Sequence, residues 1–223
     1  MEKVRIVYED DQILVLYKPA GITTTRENAK VNSLEDWVME QRSNDLGRAG
    51  IAHRLDLATS GLVVVAKTEK ALEFFKKQFK NRLVEKKYWA LVEGEVPFEG
   101  EVNMPIGRHR FGFAKYGVRE DGKNAITRFW RIDKFRRNGK IYSMLEVRLL
   151  TGRTHQIRVH LSYLGWPIVG DRVYGRRGPG GLDRLFLEAY KIRIKRPGTS
   201  EFLEQQIDLD DELKREMEGY EKI

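Results

Sequence analysis

The 223-residue chain has no cysteine and only six prolines, and Leu62–Ala66, its longest candidate apolar run, is five residues long. Without thiols there is no disulfide scaffold, no cysteine nucleophile, no Cys-ligated zinc and no iron–sulfur cluster. A membrane helix needs about 18 consecutive apolar residues, and the mean hydropathy of −0.54 agrees that none is present. The opening residues Met-Glu-Lys-Val-Arg-Ile lack the apolar stretch of a secretory leader, so a cytosolic protein is expected. Familiar catalytic signatures are missing too. There is no Gly-x-x-x-x-Gly-Lys phosphate loop, no strand-to-helix Gly-x-Gly-x-x-Gly, no His-Glu-x-x-His and no Gly-x-Ser-x-Gly around Ser60. His155 and His160 are five residues apart, about 140° around a helix, so they do not share a face. A helix-start histidine and a core histidine are expected instead of a metal pair.

What the chain has in quantity is positive charge, and unevenly. Lys and Arg number 41 against 33 acids, a net charge of +8. Residues 200–223 hold nine acids against Lys214, Arg215 and Lys222, so residues 1–199 carry +14. From Gly107 to Lys140 there are eleven Lys/Arg against Glu120, Asp121 and Asp133, with Phe111, Gly112, Phe113, Tyr116 and Gly117 interleaved. A body this basic points to a polyanionic partner, nucleic acid above all. A solubilising or heat-adapted surface is the plainer explanation of the same charge.

At 41% apolar residues the chain can fill a core. Val4–Val7 and Ile13–Leu16 read as strands around Glu9-Asp10-Asp11. Ser33 with Asp36 three residues on reads as the start of a short helix. Leu62–Ala66 reads as a strand buried on both faces. Thr68 caps a helix with Leu72, Phe75 and Phe79 on one stripe. Lys87–Glu93 is a strand, and Ile126–Phe135 and Ile141–Leu149 pair around Asn138-Gly139. Thr151-Gly152-Arg153-Thr154 opens a helix that Gly165 and Pro167 close. Leu185–Ile194 is a last strand, and Leu209, Leu213 and Met217 give the acidic tail helical spacing. Strands following one another directly, mixed with helices, give an α+β class. The expected organisation is a basic body over 1–199 and an acidic helical tail over 200–223. Acids such as Asp208, Asp210, Asp211 and Glu212 suit a helix N-terminus better than a cation site.

One carboxylate stands out. Asp56 lies in a loop just before the buried strand, two residues after Arg54 and four before Ser60-Gly61. A carboxylate beside a guanidinium stays ionised, which fits a poised nucleophile and fits a simple ion pair as well.

The stretch His53-Arg54-Leu55-Asp56-Leu57-Ala58-Thr59-Ser60-Gly61-Leu62 resembles the signature of the RluA-type pseudouridine synthases, His-Arg-Leu-Asp-x-x-Thr-Ser-Gly. Lys87–Gly94, with Tyr88 thirty-two residues after Asp56, resembles the family's second motif. Leu150–Leu161 resembles the third, and Gly165–Asp171 its continuation. Leu16–Gly21 and Pro105–Arg108 are also family-like, so the resemblance covers roughly residues 6–194. It implies a largely antiparallel central sheet with flanking helices and loops. It implies isomerisation of uridine to pseudouridine in ribosomal or transfer RNA, with no metal and no cofactor. Asp56 matches the essential aspartate, Tyr88 the tyrosine that stacks on the target base, and Arg153 the arginine that pairs with the aspartate. Arg54 resembles an arginine that enters the space of the flipped base, with His53 shaping the loop beside it. Arg108, Arg110, Lys115, Lys123, Arg176 and Arg177 are the candidate phosphate contacts, chosen by clustering. Two departures accompany the likeness. The first strand starts near Val4, where many members begin with a small RNA-binding domain, so the body is expected to carry the binding. Glu188 stands where many relatives have histidine. A monomer is expected. A non-catalytic RNA-binding protein of the same fold, or a metal-dependent nuclease using the acidic tail, are the competing classes.

Overall fold

A computed structural model of the chain describes residues 3–26, 32–42, 46–109, 116–175 and 184–223. In chain order the strands and helices are β1 (Arg5–Glu9), β2 (Ile13–Lys18), α1 (Leu34–Arg42), β3 (Ser60–Ala66), α2 (Glu69–Lys80), β4 (Glu85–Glu93), β5 (Glu99–Asn103), β6 (Ile106–Arg108), β7 (Tyr116–Val118), β8 (Ile126–Arg137), β9 (Lys140–Leu149), α3 (Gln156–Tyr163), β10 (Leu187–Lys195), β11 (Phe202–Gln206), α4 (Asp211–Met217) and β12 (Glu221–Lys222). The class is α+β. Two compact units divide the chain, each assembled from two stretches: 1–86 with 189–207, and 87–188 with 208–223.

In the first unit β1, β2, β3 and β10 lie side by side, and β11 pairs with β10. The β1–β2 turn forms because Asp10 Oδ1 accepts the amides of Gln12 (2.8 Å) and Ile13 (2.9 Å). Every residue of β2 and β3 is buried. That is why both read as unbroken apolar runs rather than alternating ones. Lys18 is buried at the end of β2, and its ammonium donates to the carbonyls of Pro19 and Ile22, each at 2.9 Å. Helix α2 packs on β3. Thr68 Oγ1 accepts the Ala71 amide at its start (3.2 Å), and Leu72 and Phe75 are fully buried beneath it. Where Ser33 begins α1, its hydroxyl accepts the Asp36 amide (3.0 Å) while Asp36 accepts the Ser33 amide (3.1 Å), a reciprocal cap.

In the second unit β4, β9, β8 and β12 are neighbours, and β5 also pairs with β8. β8 and β9 are joined by Asn138-Gly139, both in the left-handed region (φ 50° and 73°), as a tight two-residue hairpin requires. β6 and β7 form a small hairpin of their own. Helix α3 buries Ile157, Val159 and Leu161.

The acidic C-terminal stretch is built into both units, and this corrects the expected boundary at 199/200. That boundary falls inside the β10–β11 hairpin, where Lys195 pairs with Phe202 and the Arg196 amide reaches the Glu201 carbonyl (2.9 Å). Only Asp211–Met217 is helical, and Leu209 precedes it. The reason is local. Phe202 lies under the Arg193 guanidinium at 4.2 Å, and Leu203 and Ile207 are buried, so apolar contacts hold this stretch as a strand and its extension. The helix itself buries one side chain fully, Leu213.

Candidate active site

The loop bearing Asp56 is tied down through Ala52, His53, Asp56 and Thr59. It follows a left-handed turn at Gly47–Gly50, in which Arg48 and Ala49 have positive φ, and it leads into β3. The Ala52 amide donates to the Val64 carbonyl (3.1 Å), and the Val64 amide donates to His53 Nε2 (3.0 Å). Since Nε2 accepts, Nδ1 carries the proton. Burial, with the nearby Lys86 ammonium, holds the His53 pKa well below its ordinary value, so the ring is neutral. His53 also lies 4.5 Å from the Phe79 ring. It therefore braces the loop against β3 and α2. Burial in turn lowers the pKa of Lys86 to about 8.

The Thr59 amide donates to the Asp56 carbonyl (3.1 Å), closing a turn over Asp56–Thr59. Asp56 is half-buried and Arg54 exposed. The loop's exit is set by Gly61. Its φ is +121°, and a Cβ there would fall 2.3 Å from the Ala189 carbonyl oxygen on β10, so only glycine fits.

Tyr88 and Arg153 belong to the second unit. Tyr88 sits on β4 opposite Val147 of β9 and is buried. Arg153 stands in a turn organised by Gln156. Gln156 Oε1 accepts from the Thr151 hydroxyl (2.8 Å) and the Arg153 amide (2.9 Å), while its Nε2 donates to Ile126 O and Thr127 Oγ1, both at 3.0 Å. Arg153 Nε donates to Asn124 O (3.0 Å). Its two terminal nitrogens have no partner among the described residues. The next residue but one, His155, has positive φ (56°) and shares a hydrogen bond between Nδ1 and Tyr174 Oη (2.9 Å). This turn is also why α3 begins at Gln156 and not at Thr151.

His160 is the core histidine expected. Its Nδ1 bonds Thr127 Oγ1 (2.8 Å) and its Nε2 bonds Met104 O (3.0 Å). Burial lowers its pKa, only partly offset by the Met104 carbonyl. Beyond it Arg158 and Asp171 form a buried two-pronged pair, 2.8 Å at each prong. Burial alone would raise the Asp171 pKa; Arg158 and the amides of Tyr174 and Val173 hold it below its ordinary value. Glu188, the position departing from the likeness, is fully buried and accepts the Asp210 amide (3.0 Å). Asp210 Oδ1 caps α4 at Leu213 (2.9 Å), and Oδ2 accepts from Arg184 (2.7 Å). Glu188 thus anchors the C-terminal helix.

Of the candidate phosphate contacts, Arg108 and Lys123 are exposed and have no acidic partner among the described residues. Arg110, Lys115, Arg176 and Arg177 lie outside the described residues. The cations of β8 are largely neutralised. Arg128 pairs with Glu101 (2.6 Å), Lys134 with Glu95 (3.1 Å), and Arg137 with Glu216. Sequence clustering did not separate these two groups, because the neutralising acids come from distant stretches.

Residues 12–163 match the model of a family described as RNA pseudouridylate synthase. The chain belongs to this family. Among relatives of this pseudouridylate synthase family member, ribosomal large subunit pseudouridine synthase D of Nitrosomonas europaea is 36% identical, over 94% of this chain and 63% of that one. An uncharacterised RNA pseudouridine synthase of Bacillus subtilis is 35% identical, over 97% and 73%. Ribosomal large subunit pseudouridine synthase D of Pseudomonas aeruginosa is 41% identical, over 78% and 54%. The chain thus spans about 54–73% of the length of these three relatives. Human RNA pseudouridylate synthase domain containing 1 superposes with a TM-score of 0.81 at 28% identity, over 100% of this chain and 89% of that one.

Sequence reasoning missed Thr24, whose hydroxyl donates to the Leu55 carbonyl (2.8 Å) and accepts the Leu55 amide (3.0 Å), and Gln156. A signal existed for the first, three consecutive threonines at 23–25 just after Gly21. For the second there was a glutamine directly after Arg153-Thr154-His155.

Proposed function

We propose that this chain converts uridine to pseudouridine within structured RNA. In this reaction the N1–C1′ bond of the nucleotide breaks, the uracil turns, and C5 bonds C1′. C5 then loses its proton while N1 gains one, so no electrons are exchanged and no group is imported. Asp56 is the essential carboxylate, Tyr88 the ring that stacks on the target base, and Arg153 the guanidinium whose terminal nitrogens turn to the Asp56 carboxylate when RNA is bound. A ring against a base contributes about 1–3 kcal/mol. The target must first leave its stack, at a cost of a few kcal/mol, and Arg54 fills the gap as a planar stacking cation. Phosphates are met by Arg108 and Lys123, together with the cations at 110, 115, 176 and 177. Relatives named for the large ribosomal subunit support ribosomal RNA as the substrate, with transfer RNA as the second candidate. The reading has the protein acting as a cytosolic monomer.

The observation that carries the reading is the Asp56–Thr59 turn: a half-buried acid on a loop braced by His53 and closed off by Gly61 at the start of β3, inside the region that matches the family model. The test is tritium release from RNA labelled at uridine C5, in EDTA. The parent chain releases tritium. Asp56→Asn releases none while still binding RNA, and Arg153→Lys loses most activity because an ammonium does not reproduce two-pronged pairing. A silent parent, or an active Asp56→Asn, defeats the proposal.

A further inference from the structure

Two stretches of the first unit, some thirty residues apart in sequence, meet on either side of Asp56. Thr24 is 2% exposed. Its hydroxyl donates to the Leu55 carbonyl (2.8 Å) and accepts the Leu55 amide (3.0 Å). The Gly21 amide donates to the Leu57 carbonyl (2.8 Å). The residues immediately before and after the acid are therefore both held by the same short segment, 21–24. One hydroxyl that gives and takes a hydrogen bond with a single residue fixes that peptide in both directions.

The segment supplying these bonds is itself fixed. The buried Lys18 ammonium gathers the carbonyls of Pro19 and Ile22. The Thr23 and Thr24 carbonyls accept the Leu34 amide (2.8 Å) and the Glu35 amide (3.2 Å) at the start of α1. Rigidity thus passes from the end of β2 and the first turn of α1, through one side chain, to the peptide that carries Asp56. Gly21 contributes only backbone. Thr24 is the point where a side chain alone decides whether the connection exists.

We infer that Thr24 is a positioning residue for Asp56: its hydroxyl sets where the carboxylate stands without itself touching the RNA. This rests on the proposed function, in which Asp56 does the chemistry. A misplacement of about 1 Å at a reacting group costs on the order of 100-fold in rate, and the Thr24–Leu55 bonds act one residue away.

Two substitutions separate position from bulk. Thr24→Val keeps the shape and removes the hydroxyl. Thr24→Ser keeps the hydroxyl and removes a buried methyl. Both lower the melting temperature. In single-turnover tritium release, kcat of Thr24→Val falls about 10- to 100-fold with the Kd for RNA unchanged, whereas Thr24→Ser stays close to the parent. Amide hydrogen exchange at Leu55 accelerates in Thr24→Val and not in Thr24→Ser. The inference is overturned if Thr24→Val turns over at the parent's rate, or if both variants lose activity in step with their melting temperatures. A parent chain that releases no tritium defeats the underlying function instead, and is told apart because the loss precedes any substitution.

Discussion

Gly61 of β3 and Ala189 of β10 approach so closely that a single added methyl on Gly61 would stand 2.3 Å from the Ala189 carbonyl oxygen and 2.5 Å from its amide nitrogen. The contact fixes the first residues of β3, and with them the exit of the Asp56 loop. Gly61→Ala forces the strands apart and strains a positive φ. Overpacking of this kind costs about 1–3 kcal/mol or more, and for a chain of this length each kcal/mol lowers the melting temperature by roughly 2–4 °C. The variant is expected to melt about 2–12 °C lower by circular dichroism and to lose activity. An unchanged melting curve would contradict the packing described.

Stability falls on mild acidification. His53 and His160 are neutral in the folded protein because burial holds their pKa values below 6.5. In the unfolded chain both protonate near pH 6.5, so the unfolded state takes up more protons as pH drops. Their contribution is complete above that pH and is lost progressively as pH falls from about 6.5 toward the folded values. Asp10 and Asp171 are shifted down from 3.8 and act only in more acidic solution. The melting temperature is expected to decline between pH 7 and pH 5, with a shallower decline in His160→Gln. A flat profile over that window would show that the two rings titrate alike in the folded and unfolded states.

The buried Arg158–Asp171 pair is a third test. Removing one member of such a pair costs about 3–5 kcal/mol, because the other charge is stranded. Asp171→Asn also weakens the bonds that Oδ1 accepts from the Val173 and Tyr174 amides. A fall in melting temperature of roughly 6–20 °C is expected. The double variant Arg158→Met/Asp171→Asn recovers part of that loss. Additive losses in the double-mutant cycle would mean that the two side chains do not act as a pair.

Under the proposed function, salt dependence would distinguish the cations that meet RNA from those that hold the fold. Each phosphate contact contributes about 0.7–0.9 to the slope of log K against log salt. Arg108→Ala and Lys123→Ala are each expected to flatten the slope by about that much. Arg128→Ala, whose guanidinium already faces Glu101, leaves it unchanged. Equal effects from all three would place the RNA on the β8 face instead.

Local chemistry was readable in the sequence wherever neighbours in the chain are neighbours in space. Thr68 and Ser33 cap their helices as their spacing implies, and Asn138-Gly139 makes its hairpin. Leu62–Ala66 is a strand buried throughout, extended by Ser60 and Gly61. Long-range partners were not readable. Nothing local announces that the Thr24 hydroxyl meets Leu55, that Glu188 receives the Asp210 amide, or that Glu95 and Glu101 quench cations of β8. The start of α3 moved for the same reason. Gln156 folds its amide back over Thr151 and Arg153 and reaches across to Ile126 and Thr127, and that pairing outcompetes another helical turn. At Asp56, therefore, the motif was legible, and the scaffold around it was not.

The first unit is finished by residues 189–207, which arrive only after 87–188 have been laid down. During synthesis β3 waits, with the side that β10 will cover still bare, while about a hundred further residues are added. Its run of valines is then an open template for other chains. Until β10 arrives, what protects that edge must come from outside the chain, from translation pace or chaperones.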